Sequence, residues 1–280
     1  MNVRAEPAIE LATVAAELTY LGAMSEKPRN YTFEPPPGIP RSNVVADTHI
    51  VPIRDARPIA PSLSLDREGF ALLREASKVD NFYDDNEVRR DYYPEVERVI
   101  GQATGADRVF VFDHTVRRRV PGAEDRRDGL RQPVSRVHVD HTKASGPQRV
   151  RDLLPDEADE LLRGRLQVIN LWRPIRGPLL DAPLALCDAR SVAAKDLVAS
   201  DLVYPNRIGE TYAVRYDAAH RWYYIPAMAA DEALLIKCYD SLADGRARFA
   251  PHSAFLDPTT PEDAPPRESI EIRTLVFHTR

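Results

Sequence analysis

The stretch Ser135-Arg-Val-His-Val-Asp-His-Thr142 decides the fold and the chemistry expected of this 280-residue chain. Its valines alternate with polar residues, which is typical of a β-strand. Because side chains alternate between the two faces of a strand, His138 and Asp140 are predicted to point to the same side. A second segment, Pro251-His252-Ser253, follows more than 100 residues later and supplies a third candidate ligand. The three side chains are predicted to surround one face of a metal ion.

Two neutral imidazoles and one carboxylate, with three positions left open, form the facial triad of mononuclear non-haem Fe(II) sites. The open positions can accept an oxo-acid and O2 together. An isolated His-x-Asp also occurs on ordinary strands, where the histidine lies on the surface and the aspartate caps a turn. The spacing alone leaves both interpretations open, and the downstream sequence has to separate them.

Arg267-Glu-Ser269 lies fifteen residues after His252. The order His-x-Asp, distal His and Arg-x-Ser resembles the 2-oxoglutarate-dependent Fe(II) dioxygenases. The resemblance implies that 2-oxoglutarate chelates Fe(II) with its oxo-acid end, that its far carboxylate binds Arg267 and Ser269, and that O2 takes the last position. Arginine suits this role because its planar fork matches a carboxylate and stays charged. The long 256–266 loop leaves Arg273 as the alternative partner of the oxo-acid.

Four further segments narrow the resemblance to a branch of hydroxylases and desaturases. This branch includes gibberellin desaturase-like fungal enzymes and the partner subunit of a cephem methoxylase. The segments are Asn170-Leu-Trp-Arg-Pro-Ile175, Cys187-Asp-Ala-Arg190, Lys237-Cys-Tyr-Asp-Ser241 and His252-Ser-Ala-Phe-Leu-Asp-Pro258. The resemblance covers residues 108–277, whereas the residues before 108 carry no independent signature.

Five side chains are candidates for contacts with cofactor or substrate, and no acid or base catalyst is predicted beyond the metal ligands. Asn170 and Trp172 share one face of a predicted strand, so Asn170 is expected near the cofactor and Trp172 in the pocket wall. Arg173 lies on the opposite face unless Pro174 bends the chain. Arg117 and His114 are candidates for substrate contacts. A core tryptophan with polar strand-end neighbours, and a solvated arginine loop, are the alternatives.

Two other histidines are expected to play no part in the metal site. His141 follows Asp140 directly and would point away from the metal on a regular strand. His220 lies in Asp217-Ala-Ala-His-Arg221, which is typical of a hairpin turn, so its side chain is expected to face solvent.

The residue pattern along the chain changes near residue 108. Before it, apolar residues at helical spacing predict helices at 9–20, 64–75 and 87–104, and a Pro-rich segment predicts an extended arm at 31–61. After it, segments rich in β-formers predict strands. They are 108–112, 135–140, 166–171, 184–187, 210–216, 222–225, 233–239, 248–252 and 269–277, with a short helix at 157–163. The gaps are too short for the crossover helices of a parallel sheet.

We therefore expect a mainly β fold with flanking α-helices, built on a double-stranded β-helix (jelly-roll, cupin-like) core. A single catalytic domain is expected over residues 1–280. Within it, the N-terminal helices and Pro-rich arm of residues 1–107 would pack on the barrel formed by residues 108–280.

Composition restricts the class of protein. A net charge of −5 argues against a nucleic-acid binder. The chain has no run near ~18 apolar residues, which argues against a membrane span, and its first residues lack the apolar core of a secretory signal. Two cysteines are too few for a disulfide framework. A cytoplasmic protein acting on a small molecule is expected, with the oligomeric state, including a homodimer, left open.

The resemblance implies an oxidoreductase that hydroxylates, desaturates or cyclises a small molecule of secondary metabolism. The alternatives are a 2-oxoglutarate-independent metalloenzyme on the same fold and a non-catalytic accessory subunit. A complete ligand set favours an enzyme. Substrate selection is expected in the arm at 31–61 and in the arginine-rich loop at 117–134, because loops at a barrel mouth can vary freely.

Overall fold

The computed structural model describes residues 10–123, 125 and 131–279. In this part of the chain fourteen strands form two sheets, and a few short helices pack around them. The strands are β1 (Thr13–Leu21), β2 (Arg29–Tyr31), β3 (Ala46–Asp55), β4 (Phe70–Arg74), β5 (Arg108–Arg118), β6 (His138–Val139), β7 (Arg165–Pro174), β8 (Leu184–Cys187), β9 (Leu197–Val203), β10 (Ile208–Val214), β11 (Trp222–Tyr224), β12 (Glu232–Asp240), β13 (His252–Ala254) and β14 (Glu268–His278).

One sheet has five antiparallel strands in the order β4-β12-β7-β14-β5. Strands β7 and β12 are buried along almost their whole length, and β14 is nearly as enclosed. Both faces of this sheet are therefore covered. Its inner face looks towards the second sheet, and its outer face carries a helix.

The other sheet has nine strands in the order β1-β3-β11-β8-β13-β6-β10-β9-β2. Short β13 lies between β8 and β6, where His252 is paired directly with His138. Val139 and Leu186 of this sheet pack in one apolar core with Val168 and Leu234 of the five-stranded sheet. Two sheets stacked face to face around a common core give the mainly β architecture that the sequence predicts.

The helices lie at the margins of the sheets. They are α1 (Asp85–Glu87), α2 (Tyr93–Thr104), α3 (Ser145–Leu153) and α4 (Ala158–Leu161), with a π-helical stretch at Val88–Tyr92. Helix α2 packs Val96 and Ile100 on the outer face of the five-stranded sheet. It has a proline in its first turn, where no amide donor is needed, and ends at Gly105 with φ of 65°. The helices expected at 87–104 and 157–163 are thus confirmed.

Two predicted N-terminal helices are wrong. Residues 13–21 form strand β1, in which Ala16, Leu18 and Tyr20 are buried at every second position. Residues 64–69 form turns that end at Gly69 with φ of 89°, and β4 follows at once. The arm expected at 31–61 contains the ten-residue strand β3. In β1 and β4, pairing with distant strands overrides the local helical spacing.

No helix in residues 10–123, 125 or 131–279 is long and apolar enough to cross a membrane.

Candidate active site

Three of the predicted side chains converge on one point between the sheets. The metal-binding atoms of His138, Asp140 and His252 all lie within 4.8 Å of one another. Direct pairing of β6 with β13 brings the two imidazoles together, with ring centroids 4.4 Å apart. Asp140 follows the end of β6, so its carboxylate closes the triangle. The expected strand is shorter than predicted, yet it carries the two residues to the same side.

Backbone hydrogen bonds orient both imidazoles for metal binding. Nδ1 of His138 lies 2.8 Å from the carbonyl of Arg136, and Nδ1 of His252 lies 3.0 Å from the carbonyl of Ala250. A proton on each Nδ1 leaves a lone pair on Nε2. The buried Nε2 of His252 has no hydrogen-bond partner among the described residues. Burial, reinforced by His138, lowers the pKa of His252 and favours the neutral ligand form. These features fit a divalent metal ion.

The Asp140 carboxylate is fixed through one oxygen. Asn170 donates to Oδ2 at 2.7 Å, and Nε of Arg273 donates to the same oxygen at 3.1 Å. The other oxygen, Oδ1, lies 3.4 Å from Nε2 of His138. Burial would raise the pKa of Asp140, but Arg273 and His138 hold it well below its usual range. The carboxylate therefore presents Oδ1 towards the histidines as an ionised ligand.

Arg273 is already surrounded by acceptors. Its guanidinium pairs with Glu271 and Asp140 and also donates to Thr115 at 2.9 Å. Although burial opposes it, Glu271 and Asp140 raise the pKa of Arg273. Arg273 lies opposite Asn170 on neighbouring antiparallel strands, so both reach Asp140 from one face. Its charge is neutralised by the protein itself.

Arg267 has the opposite environment. It is fully buried, with Nε 3.1 Å from Ser269 Oγ, Nη1 2.9 Å from the Ala182 carbonyl and its guanidinium 4.9 Å from the Trp172 ring. It forms no ion pair within the described residues. Burial, reinforced by the charge of Arg117, lowers its pKa to about 9. An anionic ligand would offset the cost of burying this charge.

A single pocket connects this arginine with the histidines. Its lining is Arg117, Val134, His138, Trp172, Leu184, His252, Arg267, Glu271 and Arg273. It therefore joins His138 and the unpartnered Nε2 of His252 to a guanidinium that has no counter-ion among the described residues. Such a pocket suits a small dianion that binds a metal at one end and an arginine at the other.

Comparison with known proteins agrees with this geometry. Residues 18–277 match a family model described as an Oxidoreductase/YMDC permease-like domain. Hydroxylase/desaturase efuI of Hormonema carpetanum is 36% identical over 252 residues, which are 82% of this chain and 84% of that protein. The Fe(II)/2-oxoglutarate-dependent dioxygenase nvfI of Aspergillus novofumigatus is 34% identical over 255 residues, or 88% and 90% of the two proteins. A solved structure of the iron and alpha-ketoglutarate-dependent endoperoxidase NvfI aligns with a TM-score of 0.87 and 31% identity, covering 96% and 99% of the chains.

The chain belongs to the Fe(II)/2-oxoglutarate-dependent dioxygenases.

Family membership confirms the oxidoreductase prediction and the jelly-roll-like fold. Fe(II), 2-oxoglutarate and O2 are the cofactor and co-substrates of this dioxygenase, and its substrate is a small molecule. The relatives named as dioxygenase and hydroxylase/desaturase favour this function over the accessory-subunit and 2-oxoglutarate-independent alternatives.

In the dioxygenase, the other residues that were predicted to contact cofactor or substrate lie in different surroundings. Trp172 lines the pocket under Arg267, as expected. Arg173 lies on the opposite face of β7, where it donates to the Glu75 carbonyl and packs on the Tyr92 ring. Pro174 does not turn it inward, so Arg173 is removed from the substrate candidates. Arg117 lines the pocket and donates to the Gln132 carbonyl at 2.8 Å.

The remaining histidines also find protein partners. His114 lines a larger outer cavity with Nδ1 2.9 Å from the Tyr93 hydroxyl, and its contact with substrate stays a prediction. Burial lowers the pKa of His141 to about 4, and its Nδ1 faces Ser145 at 3.3 Å. The prediction of a solvent-facing His220 is wrong. This side chain is buried, pairs with Asp196 at 3.2 Å and stacks on Tyr20.

One charged residue that lines the pocket was not predicted from the sequence. Glu271 lines the pocket and pairs with Arg273. Its signal was available, because Arg267, Ser269, Glu271 and Arg273 are spaced by two, the period of one strand face.

The expected substrate-selecting segments are only partly described. Part of the arm at 31–61, including Tyr31, Arg41 and Val44, lines the outer cavity. Within the loop at 117–134, residues 124 and 126–130 lie outside the described residues.

Proposed function

We propose that His138, Asp140 and His252 hold Fe(II), and that Arg267 and Ser269 bind the far carboxylate of 2-oxoglutarate. The observation that carries this assignment is the pocket itself. It joins His138 and His252, whose Nε2 has no hydrogen-bond partner among the described residues, to a buried guanidinium that forms no ion pair with those residues. A dicarboxylate spanning the two would neutralise the arginine and fill open metal positions. We further propose that one catalytic domain contains the whole site.

Bound Fe(II) supplies the activation of O2 that is needed to remove hydrogen from an unactivated C–H bond. The chain contributes positioning. Asn170 and Arg273 hold Oδ2 of Asp140, which leaves Oδ1 for the metal. Trp172 closes one side of the pocket beneath Arg267. The protein thus fixes the geometry of metal and oxo-acid before the substrate arrives.

The proposed substrate is a natural-product intermediate, which the dioxygenase hydroxylates, desaturates or cyclises. Support comes from relatives named hydroxylase/desaturase and from aspirochlorine biosynthesis protein N of Aspergillus oryzae, which is 42% identical over 54% of this chain. An outer cavity of about 1640 Å³, which includes His138 and Asp140 in its lining, has room for a natural-product intermediate.

The assignment is tested by measuring Fe(II) stoichiometry and succinate release for the wild type, His252→Ala and His49→Ala. The wild type should release succinate only with Fe(II), 2-oxoglutarate and O2 present. His252→Ala should lose most iron binding and turnover while its circular dichroism is unchanged. His49 lies on β3 outside the triad, and its substitution controls for the loss of an imidazole. Full iron stoichiometry and activity in His252→Ala would show that the triad assignment is wrong.

A further inference from the structure

The outer cavity contains basic side chains of two kinds. Some are matched by acids within the protein. Lys27 pairs with Asp201 at 2.5 Å and with Glu210 at 2.8 Å, and Arg131 pairs with Asp125 at 2.9 Å. These charges are neutralised without a ligand. Five other arginines of the same cavity form no ion pair with the described residues. Arg117 and Arg136 donate hydrogen bonds to Gln132 and Asn30, and Arg41 is exposed. Arg149 and Arg207 differ from these three because each guanidinium lies over an aromatic ring.

Arg149 is the first of these two. It lies on α3, half-buried, with its guanidinium 4.8 Å from the centroid of the Phe112 ring. Within residues 10–123, 125 and 131–279 it forms no hydrogen bond and no ion pair. Asp113 and Asp152 attract it from beyond ion-pair distance, but burial and the charge of Arg207 outweigh them and lower its pKa. The charge of Arg149 is therefore partly desolvated and is further disfavoured by a second cation that lines the same cavity.

Arg207 is the second. It lies in the turn between β9 and β10, and its guanidinium stacks 3.9 Å from the centroid of the Tyr204 ring. It too makes no ion pair with the described residues. A guanidinium stacked on an aromatic ring keeps its N–H groups in the plane of the fork, free to bind an anion at the edge. Both arginines are thus backed by rings, and neither has a carboxylate at its edge among the residues that the structure describes.

The two arginines stand on the wall that adjoins the metal site. Phe112, beneath Arg149, is 6.3 Å from the His141 ring, and His141 follows Asp140 directly in the chain. Strand β10, which follows Arg207, pairs with β6 through Tyr212 and Val139. A molecule that occupies this cavity can therefore reach both the arginine pair and the proposed iron ligands.

We propose that Arg149 and Arg207 form a subsite for a carboxylate of the substrate, and so hold the carbon to be oxidised over the metal. The inference rests on the proposed function for the role of the metal, but the subsite itself is defined by the two arginines. A substrate carboxylate would separate two like charges that now repel each other and would accept hydrogen bonds from both forks. The substrate class is accordingly a natural-product acid rather than its neutral ester.

The test uses two probes that differ only in charge, 1-pyrenebutyrate and its methyl ester. Their binding is followed by pyrene fluorescence in the absence of O2. Fe(II) and saturating 2-oxoglutarate are present, so that the pocket between the histidines and Arg267 is filled. The proteins are the wild type, Arg149→Gln/Arg207→Gln and Arg149→Lys/Arg207→Lys. The glutamine pair should weaken binding of the acid at least tenfold and leave ester binding within twofold. The lysine pair should keep most of the affinity for the acid.

Arg74→Gln/Arg176→Gln is the matched control, because it removes two charges from side chains that are 82% and 78% exposed outside the cavity. It should leave both probes unaffected. An equal loss of acid and ester affinity in the glutamine pair would overturn the subsite, as would an unchanged affinity for the acid. Failure of the proposed function would be recognised separately, by absence of 2-oxoglutarate-dependent succinate release in the wild type.

Discussion

Arg267 and Arg273 lie six residues apart on one face of β14 and its leading segment, yet their environments are opposite. Arg273 is enclosed by Asp140 and Glu271, which raise its pKa. Arg267 is more deeply buried and has no carboxylate partner among the described residues, and burial lowers its pKa to about 9. The charge of Arg273 is balanced by acidic side chains of the protein. The charge of Arg267 has no such partner among the described residues and can be balanced by a bound anion.

The two environments indicate different roles for Arg267 and Arg273, which the sequence alone does not distinguish. Both arginines were candidates for holding the oxo-acid, since alternation places both on the inner face. Only Arg267 keeps a charge available for an incoming ligand. Arg273 instead fixes the oxygen of Asp140 that faces away from His138. Three measurements can break or sharpen this distinction.

The largest effect is expected for Arg267→Ala. Loss of a charged fork from a desolvated carboxylate should cost about 2–5 kcal/mol, and so raise the Kd for 2-oxoglutarate by roughly 30-fold or more. Fe(II) affinity should be retained. Anaerobic titration of the visible absorption of the Fe(II)–2-oxoglutarate complex measures this Kd. If Arg273→Ala weakens 2-oxoglutarate more than Arg267→Ala does, the two roles are reversed.

A smaller effect, on a different quantity, is expected for Arg273→Ala. Removal of a side chain that orients a metal ligand should raise the Kd for Fe(II) by about 10- to 100-fold. It also leaves Glu271 buried without its partner, so stability should fall by about 1–3 kcal/mol. Chelator competition and urea unfolding measure the two quantities. Glu271→Ala/Arg273→Ala should regain much of the stability and little of the iron affinity, and recovery of both would argue that Arg273 acts only through folding.

The smallest effect is expected for Ser269→Ala. Its hydroxyl lies 3.1 Å from Nε of Arg267 and contributes one hydrogen bond at that end of the pocket. Loss of a hydrogen bond of this kind costs about 0.5–1.5 kcal/mol, which corresponds to a severalfold rise in the Kd for 2-oxoglutarate. The same anaerobic titration applies. A loss as large as that of Arg267→Ala would mean that the serine, rather than the arginine fork, dominates recognition.

Two of the proposed metal ligands could be predicted from sequence because their geometry is local. Residues two apart on a strand share a face, which brings together His138 and Asp140 without knowledge of the fold. The same alternation would have revealed Glu271. Partners from distant strands could not be predicted in this way. Asn170 was expected near the cofactor, but its contact with Asp140 depends on how β7, β14 and β6 are arranged.

The incorrect predictions came from segments whose neighbours lie far away in sequence. Strand β1 contains Ala, Leu and Glu, which favour helices, although burial alternates at Ala16, Leu18 and Tyr20. His220 follows a turn and was expected to face solvent, but Tyr20 from β1 stacks on it. Local preference was outweighed in both places by packing that only the assembled sheet provides.

The carbonyls that accept from His138 and His252 have a consequence for metal selectivity. Each accepting carbonyl belongs to the residue two positions earlier in the same segment, Arg136 and Ala250 respectively. Backbone hydrogen bonds thus orient both imidazole rings before any ion binds, and every divalent ion is offered the same rigid donors. Such a site follows the Irving–Williams order and binds Ni(II), Cu(II) or Zn(II) more tightly than Fe(II). Occupancy by iron therefore depends on which metals are available when the chain folds, and the purified protein needs chelation and reloading before its turnover is compared between variants.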